Sequence, residues 1–311
     1  MIMHRSDPAL AIRALRSAAP YIRMYKGKTF VVKAGGGVFG EQATTRALME
    51  QIGILHYFGV RVVLVHGGGP QLTELSAALG VPTRMVEGRR VTDEKSIDVT
   101  AMVLNGLINT RVLGICRDLN IDAVGVSGVD AGLVRAHKRK PVALGGNGEV
   151  VDYGFVGDID AVDTTVLGKL LDNGLMPVVS PLSADGAGTL LNINADTVAA
   201  AIGAALSAEK LILCTGAPGI LGNRDDPGSL ISYTDLQGLK RLREEGRIAD
   251  GMLPKAKAIE EAIRGGVRRV HVVSYVSPEG ILAEVFTNEG NGTLIVADVN
   301  ALSPAEQQSS P

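Results

Sequence analysis

The sequence predicts an α/β protein, a mostly parallel sheet covered by helices on both faces. Three observations predict it. Short β-branched runs recur along the 311 residues, longer stretches of helical period lie between them, and glycine clusters mark the ends of the early runs. Alternation of this kind favours parallel strands joined by helical crossovers.

The elements follow in chain order. Residues 8–25 read as a helix with Leu10, Ala14, Leu15, Ala18 and Ile22 apolar, ahead of a first strand at 29–33. In 44–57 the apolar Ala47, Leu48, Ile52 and Leu55 share one helical face, and a second strand spans 60–65. A long stripe through Ile97, Ala101, Leu104, Ile108, Val112 and Ile115 makes 93–119 helical. Further strands are expected at 123–126, 176–180, 210–214 and 270–274. The pattern restarts after Pro177 to Pro181, which sets a lobe boundary there. The expected organisation is an N-terminal helix within 1–27, lobes at 28–180 and 181–298, and a polar tail at 299–311 that lacks pattern and is expected to be disordered.

Composition narrows the function classes. Lys plus Arg number 31 against 33 Asp plus Glu, a net charge of −2, which argues against a dedicated nucleic-acid binder. Glycine is in excess at 39 residues, about one in eight where about 7% is usual, so several close backbone approaches are expected. Cys116 and Cys214 lie far apart, giving neither a disulfide framework nor a thiolate metal site and fitting a reducing cytoplasm. The longest uninterrupted apolar run, 197–206, is about half a bilayer span, so no membrane segment is expected. Arg5, Arg13, Arg16 and Arg23 beside a single Asp7 hint at a transit segment, but no secretory apolar region accompanies them.

Gly35, Gly37 and Gly40 satisfy a GxGxxG spacing after the first strand. A dinucleotide site would place an acid at the end of the second strand, where this chain has His66-Gly67-Gly68-Gly69. That run resembles an esterase oxyanion loop, yet the nearest nucleophile elbow, Gly125 to Val129, lacks its last glycine, and no GxxxxGK[ST] occurs. Two glycine loops remain at the C-terminal ends of strands, where bare amides cradle anions. Three charges stand in apolar or glycine-rich company: Lys33, Asp196 and Lys255. Taken singly, Asp196 would be a helix N-cap and each lysine a solvated cation. Taken with the loops they form a phosphoryl-transfer inventory without a covalent nucleophile. His66 reads as a residue that orients its loop, not as a base.

The chain resembles the amino-acid kinase family, and within it the acetylglutamate kinases, over about residues 18–296. The likeness rests on KAGG at 33–36, VHGGG at 65–69, GRRVT at 88–92, GFVG at 154–157, NINAD at 192–196, DGMLPK at 250–255 and EVFTNEGNGT at 284–293. The resemblance implies a three-layer α/β/α sandwich, with the acyl amino acid in the N-terminal lobe and MgATP in the C-terminal lobe. It implies phosphorylation of the side-chain carboxylate of N-acetyl-L-glutamate, with Mg2+ carried by the nucleotide and no dedicated metal site. Lys33 would then meet the transferring phosphoryl group, Lys255 the leaving bridge, and Asp196 would orient both. Gly36, Gly68, Gly69, Arg90 and Asn192 would hold the substrate, and Gly216, Gly219 and Gly251 the nucleotide. The N-terminal helix resembles that of arginine-inhibited members, in which such helices interlace dimers into a hexamer. Tyr25, Glu284, Gly290 and Gly292 would then receive arginine. Residues 215–217 read Thr-Gly-Ala where the family usually has Thr-Asp-Val. That departure motivates an alternative, a non-catalytic amino-acid sensor of the same fold, and a kinase of another N-acyl amino acid also stays open.

Overall fold

The computed structural model describes residues 8–144, 149–223, 225–248, 251–287 and 290–299. Residues 300–311 of the expected tail, the first seven residues, Asp250 of the 250–255 motif, and Asn288 and Glu289 of the 284–293 motif lie outside the described residues. A central sheet of eight strands contains β1 (Thr29–Ala34), β2 (Arg61–His66), β3 (Ala123–Ser127), β4 (Met176–Ser180), β5 (Lys210–Thr215), β6 (Tyr233–Asp235), β7 (Arg269–Ser274) and β8 (Thr293–Val296). Their order is β6-β8-β7-β5-β1-β2-β4-β3. The pairs from β7 to β3 are parallel, while β8 runs antiparallel to β7 and carries β6 parallel to itself. The expected mainly parallel sheet is therefore present, with an edge turned the other way.

Alternation along β1 explains the layers. Val31 packs into one core with α5 (Thr165–Asp172), α6 (Ala195–Ala205), α7 (Leu236–Glu244) and α8 (Met252–Arg264); Phe30 and Val32 pack into the other. That second core is covered by α2 (Gln42–Tyr57), α3 (Gly69–Ala78), the long α4 (Glu94–Asp118) and α9 (Gly280–Phe286). Side chains two apart share a strand face, so Lys33 falls on the Val31 side, toward α6 and α8.

Helix α4 spans Glu94–Asp118. Asp93 caps it by accepting from the Ser96 amide at 2.8 Å, and its middle, Met102–Asn109, widens to a π-helix. It is 25 residues long and contains an 18-residue stretch of mean hydropathy 1.4, long and apolar enough to cross a membrane, which the uninterrupted-run criterion missed. Ile97, Val103, Leu104, Ile108 and Val112 instead bury against the sheet. Helix α1 (Pro8–Tyr25) matches the expected bounds, but Leu10, Ile12 and Leu15 are 59, 55 and 59% exposed. It touches the rest of the chain at its C-terminal end, where Tyr21 meets Phe286 edge-on and Tyr25 meets Phe30. A smaller sheet of Leu190–Asn192, Leu182–Ala184, Val134–Lys138 and Gly157–Val162 draws strands from both sides of residue 180.

Candidate functional site

The C-terminal ends of β1 and β2 stand side by side, and so do the loops that follow them. The amide of Gly67 donates to the Ala34 carbonyl at 2.8 Å, tying the second loop to the first. After β1 the chain tightens into a 3-10 turn, Gly36–Gly40; after β2 it enters α3 through Gly68, with a proline in the first turn. Two positions show why these loops are glycine. A Cβ on Gly36 would stand 2.6 Å from Pro70 Cδ and 2.9 Å from the Gly69 nitrogen, and one on Gly68 would stand 2.5 Å from Ile108. Backbone packed this closely leaves no space for a side chain.

Asp196 lies in the first turn of α6, yet it does not cap it. Asn194 does, accepting from the amides of Asp196 at 2.8 Å and Thr197 at 3.3 Å. The Asp196 carboxylate is thereby left for the lysines: Lys33 Nζ is 2.9 Å and Lys255 Nζ 3.0 Å from the same Oδ1. The three residues are 8, 6 and 7% exposed in the order Lys33, Asp196, Lys255. Burial alone would raise the Asp196 pKa, but the charges of Lys33 and Lys255 outweigh it and hold the carboxyl at about 2. Lys255 is lowered by burial and by the neighbouring Lys33, with Asp196 opposing both. Two cations on one anion leave a buried surplus of positive charge, and a low-dielectric surround strengthens its pull on a second anion. Cys214, at the end of β5, is pushed by burial to about 12 and stays a neutral thiol.

These groups open into a cleft of about 990 Å3. Of the residues singled out from sequence, Lys33, Gly36, Gly68, Gly69, Arg90, Asn192, Asp196, Gly251 and Lys255 line it together. Arg90 comes from the hairpin strand Arg89–Val91. Its guanidinium donates to Thr73 Oγ1 at 2.6 Å, Thr83 Oγ1 at 3.0 Å and the Gly69 carbonyl at 3.3 Å, which fixes it over the start of α3. Asn192 donates to Thr92 Oγ1 at 3.2 Å and ties the same hairpin to the small sheet. Gly216 and Gly219 do not belong to this wall. A Cβ on Gly219 would stand 2.6 Å from Thr293 Oγ1, so close packing against β8 requires glycine there, whereas one on Gly216 would meet the Tyr275 hydroxyl at 3.4 Å in ordinary contact.

Sequence reasoning missed several members of the site. Arg139 pairs with both oxygens of Asp158 in the cleft wall; the alternation in 134–138 and 157–162 was the available signal. His66 is buried and lowered to about 4, chiefly by burial, so it is neutral at pH 7. Its Nε2 meets Asn109 Nδ2 at 3.1 Å, and Asn109 also donates to the Val178 carbonyl. This agrees with an orienting role and not with a base. Gln71, also unflagged, donates from Nε2 to the Gly36 carbonyl at 2.8 Å.

The residues expected to receive an effector also come together, around α9. Glu284 meets His271 Nδ1 at 2.7 Å and accepts from the amides of Asn291 at 2.9 Å and Gly292 at 3.1 Å. His271 Nε2 is 2.9 Å from Lys210 Nζ, which stands over the Tyr25 ring. Burial would raise the Glu284 carboxyl, but His271 and the two amides hold it at about 2. Burial and the charge of Lys210 lower His271 to about 4 against the pull of Glu284. Gly290, at φ +54°, lies where a Cβ would stand 2.8 Å from Glu284 Oε2.

Residues 28–274 match the model of the amino acid kinase family. The chain is 48% identical over 296 residues to an acetylglutamate kinase of Myxococcus xanthus, covering 94% of this chain and 96% of that one. Among solved structures it is similar to the N-acetylglutamate synthase of Neisseria gonorrhoeae complexed with coenzyme A and N-acetyl-glutamate, at 29% identity and a TM-score of 0.80, over 93% of this chain. The chain spans 64% of the length of that synthase. The complex of the same synthase with coenzyme A and L-arginine matches with a TM-score of 0.79, over 92% of this chain and 65% of that one.

Proposed function

The chain belongs to the amino acid kinase family, and on that premise we propose that it transfers the γ-phosphoryl group of ATP to the side-chain carboxylate of N-acetyl-L-glutamate. The observation that carries this reading is the Lys33–Asp196–Lys255 cluster at the floor of a cleft with two glycine loops and Arg90 on its wall. A glutamate-type carboxylate has a pKa near 4.3 and is already ionised at pH 7, so it attacks without a general base. One carboxylate oxygen bonds to Pγ as the bridge to the β-phosphate breaks; the bridging oxygen leaves with ADP and no proton moves. The barrier is the approach of two anions, which fixed cations and amides lower. We assign Lys33 to the transferring group, Lys255 to the leaving bridge and Asp196 to the orientation of both.

Gly36, Gly68 and Gly69 are assigned as amide donors to substrate and phosphate oxygens, Arg90 to the α-carboxylate with Asn192 in support. The acyl amino acid is assigned to the 28–180 side and the nucleotide to the 181–298 side, where Gly251 lines the cleft and Gly216 and Gly219 shape the loop beyond Thr215. Among the described residues no three His, Cys, Asp or Glu side chains converge as a metal cage, and Asp196 is engaged by both lysines. We propose that Mg2+ enters on the phosphates, whose charge it would neutralise. Trapping the product with hydroxylamine tests the reading: an N-acetylglutamyl hydroxamate formed with ATP supports it, and its absence contradicts it.

Regulation by L-arginine is proposed for the Tyr25, Glu284, Gly290 and Gly292 cluster. Its support is the convergence of those residues around Lys210 and His271, together with the likeness to an arginine-bound synthase. The exposed apolar residues of α1 support a homo-oligomer, which we propose is a dimer extended to a hexamer. A cytoplasmic location is proposed from the two free, buried cysteines.

A further inference from the structure

Gln71 belongs to neither loop motif nor to the ion cluster. It sits in the first turn of α3, two residues after Gly69, and is 7% exposed. Its amide nitrogen donates 2.8 Å to the carbonyl of Gly36, a residue 35 positions earlier in the other glycine loop. A carbonyl accepts and never donates, so the NH2 end of the side chain must face Gly36. The oxygen end is left over: Oε1 is buried with no partner among the described residues, 3.2 Å from where a Cβ on Gly36 would stand. A buried acceptor without a donor destabilises a fold. A leucine would fill the same space without that penalty, so packing does not explain the amide; its bond to Gly36 does.

That bond acts on a run of three glycines. Gly35, Gly36 and Gly37 have no side chains to hold them, and glycine explores more conformations than any other residue. Peptide units are planar, so fixing two carbonyls fixes the amides attached to them. Gln71 holds the Gly36 carbonyl, in the peptide that carries the Gly37 amide, and the amide of Val38 holds the Gly35 carbonyl at 3.1 Å, in the peptide that carries the Gly36 amide, so Gly36 is pinned on both sides. The Gly36 nitrogen is thereby set facing the second loop, where a Cβ on Gly67 would stand 3.5 Å from it.

We propose that Gln71 is a positioning residue for phosphoryl transfer: it clamps the carbonyl side of Gly36 from the second loop, as Val38 clamps the peptide that carries the Gly36 amide, and so holds Gly36 in place at the cleft wall. This rests on the assignment of Gly36 as a donor to the reacting oxygens. Misplacing a group at the reaction centre by about 1 Å costs up to roughly 10²-fold in rate.

The test compares wild type with Gln71→Leu and Gln71→Glu in kcat, KM for N-acetylglutamate and melting temperature across pH 6 to 8. Gln71→Leu is expected to lower kcat by about 10-fold to 10²-fold while KM stays within about threefold, since a donor acting in the transition state is lost. Gln71→Glu gives a signature that a packing role would not. The ionised carboxylate cannot donate to Gly36, whereas the protonated acid can, and burial raises its pKa. Its kcat relative to wild type is therefore expected to climb as pH falls from 8 to 6. A flat ratio for Gln71→Glu, a Gln71→Leu enzyme with wild-type kcat, or a loss confined to KM overturns the proposal. Should Gln71→Leu fail to fold, the pH ratio of Gln71→Glu decides alone. Wild type that forms no ADP with N-acetylglutamate overturns the kinase reading and this proposal with it, while a failure seen in the variants alone overturns only the role of Gln71.

Discussion

At the scale of the residue, one carboxylate organises the candidate site. Asp196 holds two ammonium groups within 3.0 Å, and each lysine comes from a different element, β1 or α8. Replacing Lys33 or Lys255 with alanine removes one cation and leaves the other paired, so the fold should persist. Each variant is expected to lose roughly 10²–10³ in kcat with little change in melting temperature; near-wild-type turnover in either would contradict the assigned roles. The residue types were legible in the sequence as charges in apolar or glycine-rich company, but their pairing was not. Asp196 alone reads as an N-cap, and the structure gives that task to Asn194 two positions earlier. Local sequence cannot distinguish the two, because what frees Asp196 from the cap is a pair of lysines 163 and 59 positions away. Gln71 was illegible for the same reason, since its partner lies in the other loop.

At the scale of the element, the long periodic segments were legible and the short ones were not. The six expected strands recur within a residue at each end, and α1 matches the expected bounds, because β-branched runs and apolar stripes are local signals. Strands β6 and β8 and two strands of the small sheet span three or four residues, too few for alternation to stand out from loops, and 134–138 and 157–162 carry charges and a glycine where the legible strands have β-branched runs. The π-helical middle of α4 also escaped, since a helical stripe looks alike whether one turn is widened or not. Helix α1 shows what element-level packing leaves over: its outer apolar residues are exposed, and it meets the rest of the chain through Tyr21 and Tyr25. Deleting residues 1–25 is expected to retain phosphoryl transfer, weaken inhibition by L-arginine and shift light-scattering mass from about six subunits to about two. A truncated protein that keeps the larger mass, or wild type insensitive to arginine, would contradict the proposed role of α1.

At the scale of the whole molecule, buried histidines tie stability to pH. His66 and His271 are both lowered to about 4, foremost by burial. The unfolded chain binds protons at these histidines below about pH 6.5, while the folded chain resists until about 4. The stability they contribute is therefore complete above about 6.5 and lost as pH falls toward 4, on the order of 3 kcal/mol for His66. Asp196 and Glu284, held at about 2, stay ionised in the folded chain, and their share of the loss begins only near pH 4.5 and below, where the unfolded carboxyls take up protons. Melting temperature is expected to drop by roughly 5 °C or more between pH 7 and 4.5, and a flat profile would contradict the neutral buried state of both rings. The cleft that these layers enclose joins two loops, two cations and Arg90 in a single space, and its chemistry rests on a carboxylate acceptor. The most direct measurement is ADP release by the purified protein with MgATP and either N-acetyl-L-glutamate or free L-glutamate. ADP formation that depends on the N-acetylated substrate is the predicted result; equal release with free glutamate, or none with either, would contradict it.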